Sequence, residues 1–294
     1  MEIIREIMLN LIVNPNSGKG QAINNIKTIT KYLKKEKVPY LVYFSEKESD
    51  IADYAVNLFK SGERDFIIVG GDGSIHKMVN SLPELSKVNL GIIPSGVYNN
   101  FAKSLNLEFN PVKAIQNILN NKIEKFDYLK CGELLIINYI AFGAVEEIKH
   151  KYKCDSEKRK PKFFDYINNL KKYEPLQVNF TNKEIKEKSV VINECYICNG
   201  MYKGKSCVSP LSNTQDGLCN VICITRKDKG QLKEYLKIKN GKHIYDNLNK
   251  VYWLESVNLT SSNNPIKAEI DGELYELENL SVNVVQGGLN IFVE

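Results

Sequence analysis

A buried strand, a glycine-rich loop and a helix follow one another in residues 66–80, FIIVGGDGSIHKMVN. The first four residues are apolar and rich in β-branched types, which is typical of a strand buried on both faces in a parallel sheet. Apolar residues then recur at helical spacing from Ile75 to Val79. A glycine loop between a strand and a helix aims backbone N–H groups and a helix N-terminus at an anion, usually a phosphate. Residues 70–74 therefore predict a phosphate site, with Asp72 able to face a metal ion or a ligand hydroxyl.

The overall composition indicates a globular protein without a membrane span. Hydrophobic residues make up 43% of the 294 residues and charged residues 26%. No run of 18 apolar residues occurs, which excludes a transmembrane helix. The N-terminus lacks the apolar core of a secretory signal, so we expect a cytoplasmic protein.

The formal net charge of +5 is unevenly distributed, because lysines concentrate between Lys149 and Lys172. Such a segment suits an anionic surface, and Lys158–Tyr173 adds aromatic residues suited to a membrane interface. We expect peripheral contact with an anionic membrane and no nucleic-acid partner. The alternative is a helix that packs on its own domain and leaves its lysines in solvent. The sequence does not determine the oligomeric state, and a homodimer is one alternative.

Seven cysteines are present, an odd number that favours reduced thiols in a cytoplasmic protein. Cys195, Cys198, Cys219 and Cys223 have a spacing that superficially offers four zinc ligands. They lie in apolar, strand-like stretches, where cysteine packs as a small hydrophobic residue. Packing is therefore the favoured interpretation, and a structural zinc site is the alternative.

Strands and helices alternate through about residue 122. The predicted strands are Met8–Val13, Val38–Phe44, Phe66–Val69 and Val88–Pro94, and the predicted helices include Ala22–Leu33, Ile51–Phe59 and Pro111–Leu119. Right-handed crossovers make such strands a parallel sheet, and the turns after the strands then share one edge, where ligands of open α/β sheets bind.

The second part of the chain reads as short strands separated by polar turns. The predicted strands are Glu124–Tyr128, Leu134–Phe142, Gln177–Thr181, Ser189–Asn199, Leu218–Thr225, Val257–Ser261, Ile266–Ile270, Leu280–Val285 and Leu289–Val293, with helices at Phe163–Tyr173 and Gln231–Ile238. This spacing is typical of an antiparallel sandwich or barrel. The predicted fold class is an α/β N-terminal domain with a parallel, Rossmann-like sheet (residues 1–123, with 288–294 returning to it) and a β-rich antiparallel sandwich domain (residues 124–287).

Several motifs occur in a fixed order: Asn14-Pro15-Asn16-Ser17-Gly18, Gly70-Gly71-Asp72-Gly73-Ser74, Pro94-Ser95-Gly96 with Asn99, Phe126-Asp127-Tyr128, Asp216-Gly217 and Asp271-Gly272-Glu273. Together they resemble the catalytic domain of the diacylglycerol kinase family, in particular its soluble bacterial lipid kinases, which share this domain with sphingosine kinases. The resemblance covers nearly the whole chain. It implies an ATP-dependent kinase that transfers the γ-phosphoryl group to a hydroxyl of diacylglycerol or a similar membrane lipid.

The resemblance also implies roles for individual residues. Contacts with ATP fall on Asn14, Pro15, Asn16, Ser17, Gly18, Ser45, Gly70, Gly71, Asp72, Gly73, Ser74, Ile75, His76 and Val97. Glu273 matches the proposed general base, and Asp72 and Asp127 match acids of a metal–water network. A structural Mg²⁺ would be held by Asp216 with the backbone carbonyls of Asn213 and Leu218. Lys19 and Lys103 are candidate phosphate contacts, and the His76 side chain is expected on the helix surface.

Taken alone, the two Asp-Gly pairs have simpler interpretations. Asp271-Gly272 between apolar runs is a strong hairpin signal, and Asp216-Gly217 is an ordinary turn sequence. The functional interpretation of both pairs rests on the motif order.

Five residues depart from the pattern of the family. Ser74 and Lys77 stand where the family usually has Thr and Glu, and Val97, Tyr98 and Asn100 stand in a turn that is usually Gly-Thr-Gly-Asn-Asp. The amide of Asn100 cannot supply the negative charge of a carboxylate. A non-catalytic nucleotide- or lipid-binding protein on the same fold is therefore the alternative function, and NAD kinase, which shares the Gly-Gly-Asp-Gly loop, is a lesser one.

Overall fold

The chain forms two compact units. The computed structural model describes residues 8–47, 49–154, 161–170, 172–225, 237–262 and 265–294. The first unit ends at Asp127 and resumes at Gly287–Glu294, and the second unit comprises Tyr128–Gln286.

The first unit alternates strands and helices, as predicted. Its elements are β1 (Leu9–Val13), α1 (Gln21–Lys35), β2 (Tyr40–Phe44), α2 (Asp50–Lys60), β3 (Asp65–Gly70), α3 (Asp72–Ser81), β4 (Asn89–Pro94), α4 (Asn100–Ser104), α5 (Pro111–Leu119) and the first half of β5 (Ile123–Cys131). Pro111 occupies the first turn of α5, and the Asn110 side chain caps this helix by accepting from the N–H groups of Val112 and Lys113.

The sheet of the first unit has the order β2-β1-β3-β4, with every pair parallel. Asn290 and Ile291 of the last strand, β18 (Leu280–Phe292), pair in parallel with β4, so the predicted return of the C-terminus to this sheet is observed. Apolar residues of β1 and β3 pack against one face of α1, where Ile26, Ile29 and Leu33 are buried. The helical spacing of these three residues is what makes α1 amphipathic.

The second unit is built mainly of antiparallel strands. Its elements are the second half of β5, β6 (Leu134–Ile136), β7 (Tyr139–Gly143), α6 (Ala144–Cys154), α7 (Phe163–Leu170), β8 (Leu176–Phe180), β9 (Ser189–Ile192), β10 (Glu194–Cys198), β11 (Tyr202–Lys203), β12 (Ser206–Cys207), β13 (Cys219–Ile224), β14 (Lys250–Leu254), β15 (Ser256–Ser261), β16 (Ile266–Ile270), β17 (Glu273–Leu277) and the first part of β18.

Two layers of strands enclose the core of the second unit. One sheet has the order β14-β13-β10-β7-β16-β17, and the other layer contains β18-β15-β8-β9. Phe142 and Ile197 of the first sheet share a buried cluster with Val178 and Val257 of the second layer. The opposite face of the six-stranded sheet carries another apolar cluster, which includes Tyr196. The predicted fold class, a parallel α/β domain followed by an antiparallel β sandwich, is confirmed.

The structure differs from the predicted strands at several places. The predicted strand Leu134–Phe142 is two strands, β6 and β7, because Ile137 and Asn138 form a turn. The predicted strand Ser189–Asn199 is also two strands, and β9 and β10 belong to different sheets. Strands β14 and β17 and helix α6 are additional to the predicted elements. The predicted helix Gln231–Ile238 lies almost wholly outside the described residues.

Candidate nucleotide and acceptor sites

The loops after β1, β3 and β4 meet at one edge of the parallel sheet in the first unit. The side chain of Asn14 donates to Ser74 Oγ at 3.0 Å, which joins the first loop to the start of α3. The Ser95 N–H donates to Gly70 O at 2.8 Å, which joins the third loop to the second. Buried Asn25 of α1 donates to Ser95 Oγ at 2.7 Å. The three predicted nucleotide-binding motifs therefore form one hydrogen-bonded group of loops.

Glycine is required where these loops touch. A Cβ added to Gly71 would lie 2.8 Å from Gly96 Cα, and one added to Gly96 would lie 2.6 Å from Gly71 Cα. A Cβ on Gly18 would lie 2.2 Å from Ser95 O. By contrast, a Cβ on Gly73 would have no atom within 4 Å. Gly73 therefore faces open space at the start of α3, where packing does not demand a glycine.

Two helices begin at this edge without a side-chain cap. Helix α1 follows a turn in which Gly18, Lys19 and Gly20 have φ values of 60°, 58° and 92°. Neither Gly20, the N-cap of α1, nor Gly71, the N-cap of α3, makes a side-chain capping hydrogen bond. The first N–H groups of a helix have no partner within the helix, and the helix dipole favours negative charge there. The loop group thus has the chemistry of an anion site.

Asp72 holds the next helix instead of standing open at the loop surface. Its Oδ2 accepts from the Asn100 N–H and its Oδ1 accepts from the Phe101 N–H, each at 2.9 Å. Both carboxylate oxygens therefore bind the N-terminus of α4 and link the second loop to the third.

The turn that departs from the family pattern is internally bonded. Asn99 has φ of 50° and exchanges hydrogen bonds with the backbone of Gly96, which donates to Asn99 Oδ1 at 2.7 Å. Val97 and Tyr98, between them, are 66% and 42% exposed. Val97 can therefore offer its backbone and an apolar side chain to a ligand, but no hydroxyl.

Other predicted nucleotide contacts differ in exposure. Ser45, Ile75 and His76 are buried, and the His76 carbonyl accepts from the side chain of Asn80. The expectation that His76 lies on the helix surface is therefore wrong, because this side of α3 packs inward. Lys19 and Lys103 are exposed, so both amines can reach a phosphate in solvent.

Asp127 is almost completely buried at the end of the first unit. It is 1% exposed, and its Oδ1 accepts from the Gly287 N–H at 2.7 Å. Gly287 has φ of 59°, a backbone conformation that favours glycine. The geometry gives Asp127 the structural task of holding the returning C-terminal segment.

The predicted magnesium site lies in a loop of the second unit. Asp216 Oδ1 accepts from the Leu218 N–H at 3.0 Å, and Asn213 Oδ1 accepts from the Gln215 N–H at 3.1 Å. Both side chains are exposed, and Gly217 has φ of 74°. No group of three or more His, Cys, Asp or Glu side chains suited to a metal occurs among the described residues. The loop thus offers one carboxylate with carbonyl oxygens, a donor set that fits Mg²⁺, which usually keeps several waters.

Glu273 begins β17 directly after a two-residue hairpin turn. Asp271 and Gly272 have φ values of 47° and 99°, and Ile270 pairs with Glu273 across the turn. Positive φ at both central residues is the mark of the tight hairpin turn that Asp-Gly favours. The Glu273 side chain is exposed. The hairpin interpretation is confirmed, and it places an exposed carboxylate at a fixed position beside the turn.

Buried charges lie on one face of the six-stranded sheet in the second unit. Lys203 Nζ is 3.0 Å from Glu146 Oε1 and 3.1 Å from Glu269 Oε1, and Lys149 contacts both carboxylates. Tyr139 donates its hydroxyl to Glu269 at 2.5 Å. Burial opposes the charge of Glu269, but Lys203 and Lys149 outweigh it and lower its pKa to about 2. Lys149, from the predicted membrane-facing segment, is therefore engaged inside the protein.

A second carboxyl pair adjoins these charges. Glu194 Oε1 accepts from the Val145 N–H at 2.9 Å, whereas Glu194 Oε2 and Glu146 Oε2 are buried without a donor among the described residues, as expected of two carboxyl groups that share one proton. Glu146 is fully buried and Glu194 is 6% exposed. Burial, and then the negative charge of Glu146, raise the pKa of Glu194 well above its usual range. Glu194 therefore carries the shared proton, and Glu146 the charge.

The four cysteines of the predicted zinc alternative are buried thiols. Cys195 and Cys223 face the sandwich core, with their Sγ atoms 3.8 Å apart, whereas Cys198 faces the opposite side of the sheet. Burial raises the pKa of Cys219 to about 12, which opposes the thiolate form that binds zinc. Packing as small hydrophobic residues agrees with these positions.

Sequence reasoning assigned no role to three residues that build these sites: Asn25, which it did not name, and Asn99 and Asp271, which it named only as members of motifs. Asn25 and Asn99 hold the third loop, and Asp271 holds the hairpin of Glu273 through contacts with a distant turn. Asp271 could have been found, because it belongs to the Asp271-Gly272-Glu273 motif, but within that motif a role was assigned only to Glu273. Asn25 sits in an ordinary amphipathic helix, and nothing local distinguishes it.

This fold defines a two-domain protein with a parallel α/β domain followed by an antiparallel β-sandwich domain, and comparisons with known proteins identify the family. Residues 8–131 match the diacylglycerol kinase catalytic domain, and residues 149–293 match the YegS C-terminal NAD kinase beta sandwich-like domain. The chain belongs to the family defined by this catalytic domain, and the resemblance inferred from its motifs is confirmed.

Curated relatives and solved structures agree with this assignment. The chain is 24% identical over 277 residues to the "Putative lipid kinase" of Staphylococcus carnosus strain TM300, covering 90% of this chain and 89% of the relative. It is 26% identical over 286 residues to the "Putative lipid kinase SH2167" of Staphylococcus haemolyticus, covering 93% and 90%. The crystal structure of a "putative diacylglycerol kinase" from Bacillus anthracis str. Sterne shares the fold, with a TM-score of 0.76, 20% identity and coverage of 98% and 95%. No helix among the described residues is long and apolar enough to cross a membrane.

Proposed function

We propose that this protein is an ATP-dependent lipid kinase that phosphorylates a hydroxyl of diacylglycerol or a similar membrane lipid. The observation that carries the proposal is the loop group of the first unit, where close glycine contacts bring two uncapped helix N-termini to one edge of the sheet. The names of the curated relatives support a lipid as the acceptor.

Each residue would act through its own chemistry. Backbone N–H groups at the starts of α1 and α3 would hold the phosphates, with Lys19 and Lys103 adding positive charge. Asp216 and the carbonyls of Asn213 and Leu218 would hold Mg²⁺, which supplies charge neutralisation in this class of reaction.

Glu273 would accept the proton of the lipid hydroxyl. The hydroxyl oxygen then forms a bond to the γ-phosphorus while the bond from that phosphorus to the β,γ-bridging oxygen breaks, and ADP leaves. A general base of this kind contributes on the order of 10²–10⁴-fold in rate.

The test is a kinase assay with γ-labelled ATP, Mg²⁺ and vesicles made from a total lipid extract supplemented with diacylglycerol. We expect a labelled lipid from the wild type, and at least a 10²-fold lower rate from Glu273→Gln. Glu278→Gln is the matched control, because Glu278 is an exposed glutamate just beyond the same strand and should keep the wild-type rate. Labelled lipid formed equally fast by Glu273→Gln would remove Glu273 from the mechanism.

One observation favours the second candidate, a non-catalytic nucleotide- or lipid-binding protein. Both oxygens of Asp72 accept backbone N–H groups, and Asn100 is an amide where the family has a carboxylate. Nucleotide binding without turnover, together with no gain of activity in Asn100→Asp, would favour this candidate. Phosphorylation of NAD in a parallel assay would favour the lesser alternative, NAD kinase.

Peripheral contact with an anionic membrane is part of the proposal. Phe164 of α7 is 74% exposed, and the exposed Lys162 precedes it by two residues, which pairs an apolar side chain with a positive charge. The predicted contacts at Lys158, Arg159 and Lys160 lie outside the described residues. We expect Phe164→Ser to lower co-sedimentation with phosphatidylglycerol vesicles several-fold while the thermal midpoint is unchanged. Tyr245→Ser is the control, because Tyr245 is 76% exposed but lies far along the chain from the basic segment. An equal loss in both variants would contradict a specific membrane contact by α7.

A further inference from the structure

The hairpin that carries Glu273 is attached to a distant turn by the side chain of Asp271. Asp271 Oδ2 accepts from the Ile137 N–H at 2.8 Å, and its Oδ1 accepts from the N–H groups of Asn138 and Tyr139 at 2.9 and 3.0 Å. The Asp271 N–H in turn donates to Tyr139 O at 3.1 Å. One side chain thus binds three consecutive N–H groups, two in the turn after β6 and one at the first residue of β7.

The turn at residues 137–139 is itself held from its other side. Asn138 O accepts from the N–H groups of Asn199 and Gly200 at 2.8 and 2.9 Å. The Asn199 side chain donates to Ile137 O at 2.9 Å. Asp271 therefore attaches the hairpin to a fixed point of the sheet and not to a loose loop.

This attachment lies beyond the end of the strand pairing. Strands β16 and β7 pair from Ala268–Phe142 to Ile270–Ile140, and the ladder stops one residue before Asp271. The other neighbour of β16 is β17, which begins with Glu273 and is the edge strand of the sheet. Beyond the ladder, the tip of the hairpin is attached to residues 137–139 by the Asp271 carboxylate and the Asp271 N–H.

We infer that Asp271 is a positioning residue, whose carboxylate fixes the hairpin tip so that Glu273 is held in the orientation that accepts a proton from the acceptor hydroxyl. This role rests on the proposed function, in which Glu273 is the base. Correct orientation of a catalytic group can raise a reaction rate by orders of magnitude, and a small displacement of the group lowers the rate again.

Asp271→Asn is the decisive variant, because asparagine tolerates positive φ and Asn-Gly is an excellent hairpin turn. The backbone turn is kept, while one of the two accepting oxygens is replaced by an NH₂ group that cannot accept. We expect kcat for the lipid to fall 10-fold or more, with KM for ATP unchanged, in assays well below the thermal midpoint. A merely structural role would lower the thermal midpoint and leave kcat of the folded enzyme as in the wild type.

A double-mutant cycle separates action through Glu273 from a general effect. If Asp271 acts through Glu273, Asp271→Asn lowers the residual rate of Glu273→Gln little or not at all. The inference would be overturned if the double variant lost rate by the product of the two single losses. It would also be overturned if Asp271→Asn kept the wild-type kcat.

Failure of the proposed function is distinguishable, because a second readout does not need turnover. Hydrogen–deuterium exchange should be faster at the amides of residues 137–139 in Asp271→Asn than in the wild type, and unchanged exchange would refute the attachment. No turnover by the wild type, with faster exchange in the variant, would overturn the lipid kinase proposal and the positioning role that rests on it.

Discussion

Single side chains decide much of the behaviour of this protein, and Glu194 is the clearest case. Its carboxyl group, held between the Val145 N–H and Glu146, is protonated in the folded state because burial and the charge of Glu146 raise its pKa. In the unfolded chain the group ionises near its ordinary value of 4.5. Between these two pKa values the unfolded state binds fewer protons, so the free energy of unfolding falls as the pH rises.

Glu194→Gln should therefore stabilise the protein at neutral pH. Its amide donates to Glu146 as the protonated carboxyl does and still accepts from Val145, but it has no proton to lose. We expect its advantage over the wild type to grow with pH above 4.5, with a limiting slope of about 1.4 kcal/mol per pH unit. Urea unfolding at pH 5, 6 and 7, followed by the fluorescence of the single tryptophan, Trp253, measures this in the second unit.

The control at the residue scale is Glu269→Gln, which should act in the opposite direction. Burial opposes ionisation of Glu269, but Lys203 and Lys149 lower its pKa to about 2. Its contribution to stability is present above pH 4.5 and is lost as the pH falls toward 2. The variant should be less stable than the wild type at all three pH values. A Glu194→Gln protein that is equally destabilised would contradict the shared proton.

At the scale of elements, the proposed phosphate site depends on how the loops contact each other, and substitutions at two glycines test this dependence. Gly73→Ala adds a methyl group into open space within α3, where alanine favours the helix by about 0.5–1 kcal/mol. We expect a thermal midpoint equal to or above that of the wild type, with ATP affinity at least 10-fold weaker because the methyl group occupies the path of the phosphates.

Gly96→Ala gives the matched contrast. Its Cβ would lie 2.6 Å from Gly71 Cα, so one loop backbone must shift and the protein should lose stability as well as affinity. Isothermal titration with ATP and thermal unfolding separate the two effects. Full ATP affinity in Gly73→Ala would show that phosphates do not approach the start of α3.

The strands of the two units differ in how well their sequences predict them. Alternation and helical spacing were sufficient for the parallel sheet, because buried strands such as β1 and β3 are unbroken apolar runs. Two edge strands, β14 and β17, were missed, because they mix charged and apolar residues and lack the unbroken apolar run of a buried strand. The division of Leu134–Phe142 was also missed, because the turn at Asn138 is imposed by the side chain of Asp271, 133 residues away.

For the site, motif order predicted which loops come together but not what each side chain does there. Asp72 was predicted near a metal–water network, and its oxygens hold the start of α4. The sequence around Asp72 would be the same whether its carboxylate accepted backbone N–H groups or faced a ligand. What distinguishes the two cases is the position of the Asn100 N–H, 28 residues away.

At the scale of the whole molecule, the protein combines a parallel α/β sheet, the proposed phosphate site, with an antiparallel sandwich that carries Glu273. The chain belongs to the diacylglycerol kinase catalytic-domain family, and it departs from the family pattern at Val97, Tyr98 and Asn100. Each unit contains its own buried core. The three residues that depart from the family pattern therefore lie in a first unit that is well packed.

The proposed reaction transfers the terminal phosphoryl group of ATP to a lipid, and two differently labelled forms of ATP reveal whether this group alone reaches the lipid. The purified protein is incubated with diacylglycerol-containing vesicles and Mg²⁺, with either γ-labelled or α-labelled ATP, and the organic phase is separated and counted. We predict label in a phosphorylated lipid from γ-labelled ATP alone, abolished by Glu273→Gln and kept by Glu278→Gln. No labelled lipid from the wild type with either form of ATP would contradict the proposed lipid kinase activity.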